Sequence, residues 1–147
     1  MIDTQVETIR TSFNALAKRG EEVAERFYAN LFAAQPALKS LFPRNASERD
    51  NELIAWLGMV VKNLHRIDSM LFLLEDAGKR CQRAGVQPQQ FGNARDALIS
   101  AMRETARHAG PDELTWDAQL ESDWVETLNI IVSLMIRGAG RARARAA

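Results

Sequence analysis

The stretch GKRCQRAGVQPQQF, residues 78–91, holds the one cysteine of the chain, Cys81, with Lys79, Arg80 and Arg83 beside it. A thiol among cations is an arrangement that lowers a cysteine's pKa, and the thiolate is the form that binds metals and attacks electrophiles. A free cysteine in a helical pattern is also commonly a small buried apolar residue, so packing stands as the competing role. Imidazole is scarce. His65 and His108 are the only two histidines, both at helix ends where they are expected to face water, and two isolated histidines make no metal motif. The single tyrosine, Tyr28, falls on an apolar stripe. A glycine-rich phosphate loop, a nucleophile elbow and a paired-carboxylate motif are all missing from the sequence.

The rest of the composition bounds the setting for that thiol. The chain has 147 residues, 46% hydrophobic and 26% charged, which suits one domain with a single core. Lys plus Arg and Asp plus Glu each total 19, and this balance argues against a nucleic-acid partner. One cysteine forms no internal disulfide. The opening MIDTQVETIR lacks the basic-then-apolar pattern of a signal peptide, and LNIIVSLMI is too short to cross a bilayer. A cytoplasmic protein with no membrane partner is the expectation.

Helical periodicity runs throughout, and no stretch alternates long enough to be a strand. Val6, Ile9, Phe13 and Leu16 mark a first helix, with Gly20 as its stop. Val23, Phe27, Leu31 and Phe32 mark a second, and PALKSLF a short helix opened by proline. After the polar loop PRNAS, Ser47 is the expected N-cap of a long helix bearing Leu53, Trp56, Leu57, Val60 and Leu64. IDSMLFLLEDAGKRC reads as one helix with Leu74, Gly78 and Cys81 on one face. Phe91, Ala94, Leu98, Ala101 and Thr105 mark the next, and Leu120, Trp124, Leu128, Ile131 and Met135 the last. About seven unequal helices in one all-α domain, residues 1–138, are expected. A loosely ordered Arg/Ala-rich tail, 139–147, follows, most simply a solubilising one. Unequal helices suit a globin-like packing better than a four-helix bundle.

RFYANLFAAQPALKSLF resembles the second and third helices of bacterial single-domain haemoglobins and of the globin domain of flavohaemoglobins. LGMVVKNLHRID looks like the end of that family's distal helix, AGVQPQQF like the turn out of its proximal helix, and the Asp-Trp pair at Trp124 like its final helix. The resemblance covers nearly everything but the tail. It implies a globin-like fold and haem b as cofactor. Tyr28 falls on the distal tyrosine that donates to bound oxygen, Phe42 on the phenylalanine against the haem, and Leu53 on an apolar distal position. Arg49 falls on the distal gate, which is usually glutamine or histidine, while Val86 and Phe91 fall on apolar haem contacts. Phe42, Leu53, Val86 and Phe91 would be core residues with or without haem, and an arginine such as Arg49 ordinarily sits in solvent.

Cys81 falls where the family has its proximal histidine, the metal ligand, and aligning Arg80 there instead would need a one-residue shift. A cysteine reaches a metal roughly 2 Å less far than a histidine. The family's proximal tyrosine and its partner glutamate align with Phe91 and Ala139, so the groups that orient a ligand histidine are gone together with that histidine. Glu52 stands where a basic residue often meets a haem propionate, and Trp56 is bulkier than the usual pocket residue.

Two functions follow. One is a haem protein with Cys81 as axial thiolate, a ligand that favours ferric iron. It would take O2, NO or CO as a gas or redox sensor, with at most a minor peroxidase or nitric oxide dioxygenase activity. A separate reductase or signalling partner is expected for it, and a monomeric or homodimeric state. The other is a haem-free globin-fold module for a protein partner or an apolar ligand, favoured by the lost histidine, Glu52 and Trp56 and opposed by the retained Tyr28 and Phe42.

Overall fold

The computed structural model describes residues 2–42 and 45–146, with side chains described as far as Gly140. The described residues form six α-helices: α1 Asp3–Ala17, α2 Gly20–Ala34, α3 Ala46–Lys62, α4 Leu71–Ala84, α5 Pro88–Ala109 and α6 Ala118–Ala146. Two 3-10 helices, Pro36–Leu41 and Leu64–Met70, lead into and out of α3. No strand is present among the described residues.

Each apolar stripe becomes a core face. Val6, Ile9, Phe13 and Leu16 of α1 join Val23, Phe27 and Leu31 of α2 in one cluster. Leu98, Ala101 and Met102 of α5 and Leu120, Leu128 and Ile131 of α6 complete it. Trp124 is fully buried, and its indole N–H donates to Ser12 Oγ at 2.9 Å. Ser12 in turn donates to the Ile9 carbonyl at 2.9 Å. This satisfied polar chain fixes α6 against α1 inside an otherwise apolar core.

Several local expectations change. Gly20 does not end the first helix: α1 stops at Ala17 and Gly20 is the first residue of α2. Its absent side chain lets α3 come near, since a Cβ there would sit 3.3 Å from Ile54 side-chain carbons. The N-cap of α3 is Asn45, not Ser47, and its side chain accepts from the Glu48 N–H at 3.0 Å. Asn45 lies three residues before Glu48, the spacing at which a cap oxygen reaches an unpaired amide. The polar loop is therefore shorter than expected, and 43–44 lie outside the described residues. The helix expected from Ile67 to Cys81 is divided: Ile67–Met70 belong to the 3-10 helix, and α4 begins only at Leu71 after Met70 at φ −104°, ψ −2°. Ala139, the first residue of the expected tail, is buried, and the α6 backbone stays helical to Ala146. The side chains from 141 onwards lie outside the described residues.

Candidate functional site

Helix α4 presents Ala77, Arg80, Cys81 and Ala84 to a cavity of about 560 Å³. Positions 77, 81 and 84 are spaced four and three apart, so they share a helix face. Glu52 and Trp56 of α3, Leu41 and Phe42 at the end of the first 3-10 helix, Val86 beyond α4 and Met135 of α6 complete the wall. The lining is mainly apolar, with Glu52 and Arg80 as its two charged members. That volume lies within the range of small-molecule and cofactor sites, roughly 300–1,000 Å³.

The end of α4 fixes part of this wall. Gly85 takes a left-handed conformation, φ 113°. Its N–H donates to the Gln82 carbonyl at 3.0 Å, and the Val86 N–H donates to the Cys81 carbonyl at 3.0 Å. This glycine-terminated cap folds Val86 back beside Cys81.

The thiol behaves differently from the sequence expectation. Burial pushes the Cys81 thiol up, and Arg80 opposes that only in part. Lys79 and Arg83 sit two residues either side of Cys81, which puts them on other faces of the helix. Arg80, exposed at the rim, is also drawn to Asp76 at 3.3 Å. The thiol is therefore held protonated at neutral pH.

A second cluster lies behind Phe42. The Tyr28 ring meets Phe42 edge-on at 5.4 Å between centroids and touches Phe27 and Phe32 at 4.8 and 5.7 Å. Arg49 is folded inward rather than into solvent: its guanidinium stands 4.1 Å from the Tyr28 ring centroid and 5.6 Å from that of Phe32. The buried Asp50 carboxylate holds it at 3.4 Å. Burial raises the Tyr28 phenol to about 12 despite Arg49, so it stays a donor at neutral pH.

Of the residues singled out from sequence, Phe42, Trp56, Cys81 and Val86 meet at the cavity, together with Glu52. Tyr28 and Arg49 form the cluster behind it, Phe91 is buried in the core, and Leu53 packs against that core. Of the four apolar residues that the resemblance places beside haem, Phe42 and Val86 line this cavity, whereas Leu53 and Phe91 do not. Leu41, Ala77, Ala84 and Met135 line the wall without having been singled out. The spacing of Ala77 and Ala84 around Cys81 was the available signal. The buried Asp50 left no such signal. His65 and His108 are exposed, the first beside Arg10 at 2.7 Å and the second beside Glu22 at 3.0 Å.

The Globin family matches residues 25–135, which is most of the chain, and the chain belongs to that family. It is 26% identical over 109 residues to a flavohemoprotein of Rhizobium meliloti (strain 1021), covering 72% of this chain and 27% of that protein. The chain therefore spans little more than a quarter of that relative. Among solved structures, an engineered carbene transferase from Rhodothermus marinus superposes with a TM-score of 0.81 at 20% identity, over 99% of this chain and 98% of that one. A bacterial globin from Campylobacter jejuni gives 0.79 at 19%, over 95% and 97%. These likenesses establish the all-helical globin fold. No described helix is long and apolar enough to cross a membrane.

Proposed function

We propose that this globin binds haem b in the cavity between α3 and α4, with Cys81 as the axial ligand, and that it responds to O2, NO, CO or redox state rather than carrying oxygen. One observation carries the reading: the thiol of α4 lies in the wall of an apolar cavity of about 560 Å³. Globin membership and relatives named as haemoproteins support the cofactor. The residues fit the group. Leu41, Phe42, Ala77, Val86 and Met135 supply apolar burial, and Arg80 at the rim offers a cation to a carboxylate. Haem, when bound, supplies an iron that can take a diatomic gas.

The protein's own groups set the character of the site. To hold the iron Cys81 would have to give up its Sγ proton, so affinity would rise with pH. Anionic sulfur favours the ferric state, which disfavours reversible oxygen carriage. Phe91 and Ala139 offer no hydrogen bond to a ligand side chain, and a thiolate needs none to fix its tautomer. Tyr28 keeps its proton, yet the Arg49 guanidinium covers its ring.

The protonated thiol and the place of Trp56 and Glu52 in the wall favour a second reading, a haem-free module that takes another apolar ligand in the same cavity. Haem titration of the purified chain separates the two. Wild type is expected to develop a Soret band that Cys81→Ser removes or shifts. No Soret band after haem addition selects the haem-free reading. A normal band unaffected by Cys81→Ser rejects the ligand and spares haem binding.

A further inference from the structure

Helices α4 and α6 meet more closely than side chains permit. A Cβ placed on Gly78 would overlap the Met135 carbonyl group, and one placed on Gly138 would overlap the Glu75 carbonyl group. The contact is reciprocal: each helix offers a glycine to a carbonyl of the other. Ordinary helix pairs keep their axes about 8–10 Å apart because side chains intervene. Here backbone lies on backbone, the close approach for which glycine is needed, and Cα–H groups face carbonyl oxygens. Arg137 of α6 also reaches Glu75 of α4, at 3.5 Å.

This seam leads into the site. Met135, whose carbonyl abuts Gly78, also lines the cavity, and Cys81 lies one helical turn beyond Gly78. The seam therefore fixes α4 directly beside its cavity-lining residues. We infer that Gly78 and Gly138 are positioning residues: they seat α4 on α6 and so determine where the Cys81 thiol stands in the cavity. The spectral consequence rests on the proposed ligation by Cys81, whereas the placement of the thiol does not.

The test uses Gly78→Ala and Gly138→Ala, with Gly140→Ala as control, since a Cβ at Gly140 meets nothing within 4 Å. The first readout is the rate at which iodoacetamide alkylates Cys81 in the haem-free chain. Both seam variants are expected to react several-fold faster than wild type while keeping their far-UV circular dichroism, and the control to match wild type. Unchanged rates in both folded seam variants would overturn the inference. The second readout is the haem-loaded spectrum, which in Gly78→Ala is expected to move towards that of Cys81→Ser, an effect that lost stability alone does not produce. If Cys81→Ser itself changes nothing in the spectrum, the ligation reading fails, and the alkylation rates still decide the positioning. Should neither alanine variant fold, wild type in increasing urea decides. Alkylation that rises only with global unfolding upholds the seam, and a rise well before it refutes the seam.

Discussion

Replacing Cys81→His puts an imidazole at the position that the resemblance aligns with the family's proximal histidine, and the structure sets how much that should cost. Overfilling a packed core destabilises by about 1–3 kcal/mol. Here the new ring points from α4 into a cavity of about 560 Å³, flanked on its own helix by Ala77 and Ala84. The haem-free variant should therefore lose less than about 1 kcal/mol, a shift of only a few degrees in Tm for a domain of this size. Burial that raises the thiol lowers the pKa of an imidazole, because in each case it disfavours the charged form. The ring is thus neutral and free to ligate near pH 7. With haem at about 100 times its Kd, linkage adds roughly 2.7 kcal/mol, or about 5–11 °C in Tm. Calorimetry with and without haem, alongside the visible spectrum, measures both. A haem-free variant that melts about 10 °C or more below wild type would show that the site is packed rather than open. A loaded spectrum identical to wild type would place residue 81 away from the metal.

Three further outcomes follow from the same geometry. The raised Cys81 pKa means that the folded chain holds the thiol proton where the unfolded chain releases it. Stability contributed by this group is full below the unfolded value, about 8.5, and falls as pH rises through the folded value. Alkylation should accordingly show a midpoint above that of free cysteine, the reverse of the sequence expectation, and urea titrations should show an alkaline loss that Cys81→Ser reduces. Ser12→Ala strands the Trp124 indole N–H in the core and should cost about 1–3 kcal/mol, whereas adding Trp124→Phe should recover the hydrogen-bond part. Asn45→Ala should cost about 0.5–2 kcal/mol through loss of the α3 cap, and Ser47→Ala close to nothing; thermal melts of the pair compare them directly.

The elements that sequence reading located well were those whose apolar spacing alone decides their burial. Val6, Ile9, Phe13 and Leu16 are all buried, as are Trp124, Leu128 and Ile131. Punctuation was harder. Gly20 has the look of a helix stop, but it starts α2 because α3 needs the room of its missing side chain. Ser47 and Asn45 are both capping residues by type, and only the backbone path into α3 selects Asn45. The change from 3-10 helix to α4 at Leu71 was hidden because the apolar residues Ile67, Met70 and Leu71 continue across it. At the site, the cavity-facing roles of Cys81, Phe42 and Val86 were legible, while the state of the thiol was not. Its pKa depends on which flanking cation shares its helix face and on how far the cavity wall removes it from water.

The seam between α4 and α6 also bears on what the resemblance finds missing. The resemblance aligns Phe91 and Ala139 with the tyrosine and the last-helix glutamate that orient the proximal histidine in the family. Ala139 follows Gly138, the residue that touches α4 backbone to backbone, and it is 1% exposed. A glutamate in place of Ala139 would put a long, charged side chain at a buried position, where an unpaired carboxylate is costly. A small residue at 139 suits this buried position next to the seam. Were Cys81 the ligand, as proposed, sulfur would have no ring plane to orient and no tautomer to fix, and so would need no such partner.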